Sequence, residues 1–198
     1  GLKPAGVLFS PQVSFTNSGT SAQTGVTVRY WMYDSLAVEL YNQPATIASL
    51  APGETMTATF PPAILPAGNY SIKAKAELVG DQAPGNDEIT GSLVIGSPLC
   101  GNYDVGSSGV FASLTNVNGA FSKLNILGAS CDVSFSVVSD LSGETGEIAV
   151  NPWAEVGAGG YTLTIKPSGA PRVISGVSSG NGLIILNGAD RVTIDGSL

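Results

Sequence analysis

The side chains able to do chemistry in this 198-residue chain are fifteen carboxylates, eight basic groups and two cysteines, with no histidine. Without imidazole there is no Ser-His-Asp triad, no His-ligated zinc and no charge switch near neutral pH. Cys100 and Cys131 lie too far apart for a C-x-x-C zinc or redox motif. The preferred reading is a single disulfide, which would stabilise by on the order of 3 kcal/mol; the alternative is two buried free thiols. Asp81, Asp87 and Glu88, in the loop 81–88, could offer oxygen ligands to calcium. That loop lacks the D-x-D-x-D-G ligand spacing, so a polar turn closed by side-chain-to-backbone bonds is expected instead. Asp190, Arg191 and Asp195 form the most compact charged group. Adjacent strand residues point to opposite faces, so Arg191 can share a face with Asp195 but not with Asp190. Glu144, Glu147 and Glu155 are dispersed, and all of these charges read as solvated. No catalytic residue and no cofactor is assigned. Among the aromatics Trp31, Tyr33, Tyr41 and Trp153, the pair Trp31 and Tyr33 is the best candidate for an exposed patch that could stack on sugar rings.

The elements that must position these groups follow from composition and pattern. Charged residues make up 12% of the chain, the net charge is −7, and 26 residues are glycine. About 25% charged is ordinary, so polarity here comes from Ser, Thr, Asn and Gly. A hydrophobic content of 43% excludes disorder. The scattered basic residues give no footprint for nucleic acid or anionic lipid. The charge-free stretch 4–28 is broken by Pro4, Pro11, Asn17, Ser18 and Gly19, so it cannot supply the roughly 20 apolar residues of a membrane span. A chain opening on Gly1 reads as processed or cut from a longer one. An all-β protein of two domains, 1–96 and 97–198, is expected, with the boundary at Gly96-Ser97-Pro98.

In the first domain, Val26, Val28, Tyr30 and Met32 alternate with Thr27, Arg29, Trp31 and Tyr33. Tyr70, Ile72, Ala74, Ala76 and Leu78 alternate with Ser71, Lys73, Lys75 and Glu77. Period two with one charged face describes antiparallel strands with one side on a core. Strands are expected over 7–16, 26–33, 36–41, 46–50, 55–60, 70–78 and 88–95, separated by Gly, Pro, Asn and Asp turns. That spacing predicts an immunoglobulin-like sandwich, with Tyr70 placed for a tyrosine corner. Val13-Ser14-Phe15-Thr16-Asn17-Ser18-Gly19-Thr20, Leu50-Ala51-Pro52-Gly53-Glu54-Thr55, Gly68-Asn69-Tyr70 and the segment from Asp81 to Asn86-Asp87-Glu88 occur in order. This series resembles the cell-adhesion-related (CARDB-type) domain of bacterial surface proteins. The resemblance implies an Ig-like spacer or adhesion module without catalytic residues.

In the second domain, Phe111, Leu114, Val117, Phe121 and Leu124 recur at helical spacing, with Ser113 as the expected N-cap. Strands are expected over 132–138, 146–150, 161–166, 172–175, 182–186 and 191–195. Leu163-Thr164-Ile165 recurs twenty residues on as Leu183-Ile184-Ile185, and Ser175-Gly176 as Asp195-Gly196. A fixed period with apolar triplets and Gly/Asn corners predicts coils of a right-handed parallel β-helix, capped by the helix. The disulfide would tie the approach to the first coil across that helix. Cys100-Gly101-Asn102-Tyr103-Asp104-Val105-Gly106, Phe111-Ala112-Ser113-Leu114, Cys131-Asp132-Val133-Ser134-Phe135 and Leu186-Asn187-Gly188-Ala189-Asp190-Arg191-Val192-Thr193-Ile194 are similar to the opening of pectin-lyase-like parallel β-helices in secreted bacterial proteins. Such proteins often use the type IX secretion route. The match stops after about two coils, where an active groove would only be starting.

The expected role is therefore a non-catalytic structural or adhesion module of a large extracellular or cell-surface protein. The alternatives are the non-catalytic front of a polysaccharide lyase or hydrolase, and a carbohydrate-binding or self-assembling surface module. Expected partners are other domains of the parent chain and a surface glycan or protein, with end-to-end association through an open coil edge. No nucleic acid and no membrane insertion are expected.

Overall fold

Alternation at period two dominates the folded chain as it does the sequence. A computed structural model describes residues 1–81, 83–178 and 180–197; Gln82, within the acidic loop, and Ser179 and Leu198 lie outside the described residues. The chain is all-β with one short helix, and it divides into two compact units, Gly1–Gly96 and Ser97–Leu198.

The first unit is a β-sandwich of seven strands: β1 (Leu2–Pro4), β2 (Gln12–Thr16), β3 (Gln23–Tyr33), β4 (Glu39–Leu50), β5 (Thr55–Thr59), β6 (Gly68–Glu77) and β7 (Glu88–Gly96). One sheet has the order β1-β7-β6-β3-β4, and β2 pairs with β5 in the other. Val28, Met32 and Phe60 are fully buried between them, with Tyr30, Tyr70, Ala74 and Ile95. Each fully buried side chain of this size contributes about 1.5–3 kcal/mol. The hydroxyl of Tyr70 donates to the Pro66 carbonyl at 2.8 Å, the bond that defines a tyrosine corner.

Strand composition differs from expectation in two places. The strands expected over 36–41 and 46–50 are one, β4, which runs through Pro44. Since β4 is an edge strand, a residue without an N–H is tolerated there. Residues 7–16 yield only β2, because Phe9 leaves the sheet to bridge Ala63, while β1 adds to β7 in parallel.

The second unit contains β8 (Leu99–Val105), α1 (Ala120–Leu127), β9 (Ala129–Val137), β10 (Leu141–Glu144), β11 (Leu163–Pro167), β12 (Ile174–Gly176) and β13 (Val192–Ile194). All its pairings are parallel: β8-β9-β11-β13 form one sheet, β10 pairs with β12, and Val150 bridges Leu186. Val133, Leu163 and Val192 stand in register, so successive segments stack every 30 residues or so rather than every 20. The shorter period misleads because Leu183-Ile184-Ile185 forms no strand, and neither does 146–149. Phe135 sits fully buried among Tyr103, Phe111 and Phe121, with ring centroids 6.0–6.4 Å away. Cys100 and Cys131 form a disulfide that joins neighbouring strands β8 and β9 and closes a loop containing α1.

The helix is shorter than its apolar stripe. Phe111, Leu114, Phe121 and Leu124 are buried, but Val117 is exposed and the helix begins only after Gly119. Asn118 adopts a left-handed conformation, which a helix cannot pass through. Ser113 does not cap the helix. Its hydroxyl donates to Glu144, a buried carboxylate that also accepts the amides of Leu114 (3.1 Å) and Thr115 (2.7 Å) and the hydroxyl of Thr115. Glu144 thus pins the buried bend 113–115 to β10, and its charge is met by four donors instead of being left unpaired in the core. Gly176 stands opposite Glu144 in the β10–β12 pair, and a Cβ there would lie 1.9 Å from the Glu144 carbonyl oxygen.

Two outcomes test this account. Glu144→Gln turns an amide N–H₂ toward backbone donors and should cost on the order of 3 kcal/mol. The loss should appear in urea unfolding, with hydrogen exchange accelerated at Leu114 and Thr115; an unmoved midpoint would contradict it. Replacing Cys100 and Cys131 by serine should also cost on the order of 3 kcal/mol, confined to the second unit. Midpoints that coincide with and without reductant would count against that.

Candidate functional site

Three regions collect the side chains singled out from the sequence. The first is the end of the sandwich where the β2–β3 and β6–β7 connections meet. Asn17, buried, ties the first connection down: its side-chain amide donates to the carbonyls of Ser21 and Leu50, both at 2.9 Å, and its oxygen accepts the Gly19 amide. In the second connection Asp81 accepts the Ala83 amide at 3.0 Å, an Asx-type closure, ahead of the turn Pro84–Asn86. Asp87 lies half-buried beside Asp81. Burial pushes its carboxyl above the ordinary range, and the hydrogen bond its protonated form donates to Asp81, with repulsion by that residue, adds to the rise, while Lys75 opposes. Glu88 turns away to the sheet's outer face, where it accepts from Lys73 at 2.7 Å. The three candidate calcium ligands therefore do not converge, and among the described residues no three His, Cys, Asp or Glu side chains are placed to hold a metal.

The second region is the outer face of the five-stranded sheet. Trp31 and Tyr33 are half-buried there, opposite Lys73 and Ser71 in register. The Lys73 ammonium lies 5.2 Å and the Arg29 guanidinium 6.0 Å from the centre of the Trp31 ring. Such cation–π contacts contribute about 0.5–1 kcal/mol at exposed sites. Arg29 and Lys75 are directly opposite each other, a repulsive pairing. The charges balance through Arg29–Glu77 at 3.0 Å and Lys73–Glu88. Tyr41 and Trp153 belong elsewhere: Tyr41 donates to the Pro61 carbonyl and packs on the first core, and Trp153 packs on the second.

The third region is the surface of the second unit. Arg191 does not join Asp195. It reaches back to Glu155 and to the Tyr161 carbonyl, while Asp195 accepts the Ser197 amide. The Gly160 amide, then Arg191 and the Tyr161 amide, hold the Glu155 carboxyl below its ordinary range. Lys166 and Asp195 border a shallow hollow of about 510 Å³ with the hydroxyls of Ser136, Ser168 and Ser197.

Several connecting residues escaped the sequence reading. Asp132 accepts the Thr162 amide and Asp140 the Val173 amide, each tying one segment to the next. Asn125, Asn151 and Asn187 form a ladder: Asn125 accepts the Asn151 amide, and Asn187 donates to the Asn151 side chain at 2.8 Å. The available signal was an Asp or Asn just before an apolar strand or corner, about 30 residues from its counterpart. The chain matches no family model, and no curated protein matches it.

The raised carboxyl of Asp87 fixes a sign. A group with a folded-state pKa above its unfolded value binds more protons in the folded chain, so its contribution is present at acid pH and is lost as pH rises through the raised value. Asp87→Asn should therefore remove part of the stability decline between acid and neutral pH. Melting temperatures across that interval should vary less with pH in the variant; parallel pH profiles would refute the raised Asp87 carboxyl.

Proposed function

We propose that the chain is a non-catalytic structural and adhesion module of a large secreted or cell-surface bacterial protein. The observation that carries this reading is the use of its carboxylates. Asp132, Asp140 and Glu144 are engaged by backbone amides of neighbouring segments, and Glu155 by amides of its own turn and by Arg191, rather than grouped around a space where substrate could react. A glycosidase needs a pair of carboxyl groups flanking its scissile bond. Further support comes from strand order: β4-β3-β6-β7 facing β2-β5, with the corner at Tyr70, agrees with an immunoglobulin-type module of the CARDB kind. The parallel stack with helix α1 on its first segments agrees with the opening of a pectin-lyase-like β-helix, and the disulfide agrees with an oxidising, extracellular location.

A second reading, glycan binding, is favoured by Trp31 standing half-exposed between two cations on a flat sheet face. Incubation with acidic and neutral polysaccharides should release no product; turnover by the purified chain would overturn the scaffold role. On a glycan array, binding that disappears in Trp31→Ala with an unchanged melting temperature would establish the second reading instead.

A further inference from the structure

Between the β2–β3 and β6–β7 connections lies a cleft of about 650 Å³, within the size range of ligand sites. Its floor is apolar, built from Phe15, Val26, Leu50, Leu78 and Ile89. Its walls carry backbone amides, small hydroxyls and the acidic residues Asp81, Asp87 and Glu88, and among the described residues no Lys or Arg lines it. Lys75 is felt at Asp87 but belongs to the outer face of the sheet and does not border the cleft.

Both walls are fixed before anything binds. Asn17 holds one through its bonds to Ser21, Leu50 and Gly19, and the second is closed by the Asp81–Ala83 bond and by the Ala76 amide donating to the Asp87 carbonyl at 3.0 Å. Preformed walls lower the ordering cost of association. Val79 stands wholly exposed at the lip, which extends the apolar floor outward.

Each feature restricts the occupant. An apolar floor favours aliphatic side chains, and walls of amides and hydroxyls suit the backbone of an extended peptide. Three acidic residues border the cleft, Asp81, Asp87 and Glu88, the last with its carboxylate turned to Lys73. With no lining Lys or Arg among the described residues, they disfavour an anionic ligand and favour a cationic one. We propose that this cleft receives an extended, aliphatic peptide segment of a partner protein, with a Lys or Arg side chain directed at Asp81 and Asp87. The inference goes beyond the scaffold role and does not depend on it, since polysaccharide turnover would leave it untouched.

The test titrates the full chain with two capped tripeptides, Leu-Arg-Leu and Leu-Glu-Leu, followed through backbone amide NMR shifts. Leu-Arg-Leu should move the amides of Gly19, Ser21, Val79 and Ile89, and Leu-Glu-Leu should move none. Asp81→Asn and Asp87→Asn should each weaken binding about two- to fivefold, as expected for exposed charge pairs, with the melting temperature maintained or raised. A Thr20→Arg variant, which brings a competing cation to the cleft wall, should weaken it as well. The inference is overturned if the two peptides bind equally, if neither binds, if the shifts fall outside the cleft, or if calcium alone moves these amides.

Discussion

A buried carboxylate is costly unless its lone pairs are met, and the second unit is organised around one that is. Glu144 ends β10 with almost no solvent contact, and four donors from residues 113–115 close on it. The first of them, Ser113, also accepts the Asn116 amide at 3.0 Å, so the carboxylate and a tight turn are fastened together. The demand for acceptor satisfaction therefore pins 113–115 to β10 as a bend, the left-handed Asn118 delays α1 to Ala120, and Phe111 and Leu114 are set against the rest of the core. Neighbouring bonds fasten the same place: the Asn116 side chain donates to the Gly143 carbonyl and accepts from Thr145.

The sandwich meets a similar constraint with neutral groups. Asn17 sits where the chain leaves β2 and must turn, and its amide answers the carbonyls of Ser21 and of Leu50 at the end of β4. At the opposite corner the Tyr70 hydroxyl serves the Pro66 carbonyl. Between these ties the strands need only alternate. One face of β3 makes the core with Val28 and Met32, and the other carries Arg29 and Trp31 into a lattice with Lys73 and Glu77.

How much of this the sequence discloses depends on the range of each interaction. Alternation is local, so β3, β6 and β7 were readable to within a few residues, as was Tyr70 beside its glycine turn. The disulfide was readable because two cysteines leave one pairing. The stacking period was not. An apolar triplet at Leu183 resembles a strand as well as Val192 does, and only the pairing of Val192 with Leu163 separates them. The helix start was hidden because Ser113 does make an N-cap-type bond, accepting the Asn116 amide, but the turn it closes ends at the left-handed Asn118 and does not run on into α1. Among the candidate site residues, Trp31 was placed on the correct face by alternation, whereas the separation of Glu88 from Asp81 and Asp87 depends on Lys73 across the sheet.

The scarcity of charge then takes on a structural meaning. Turns and parallel corners leave backbone N–H groups without strand partners, and each needs an acceptor. Asp34 supplies one to Leu36 and Val38, Glu54 to Ala51, Asp81 to Ala83, and Asp195 to Ser197. Glu155 supplies one to Gly160 in its own turn, and Asp132, Asp140 and Glu144 do the same between stacked segments. Lys and Arg cannot fill this role, because they have donors and no acceptor. A fold made mostly of short strands and tight connections thus favours Asp, Glu and Asn over basic residues. Turn and corner closure contributes in this way to the net charge of −7. On this account the acidity of the chain is a property of its backbone geometry before it is a property of any surface it presents.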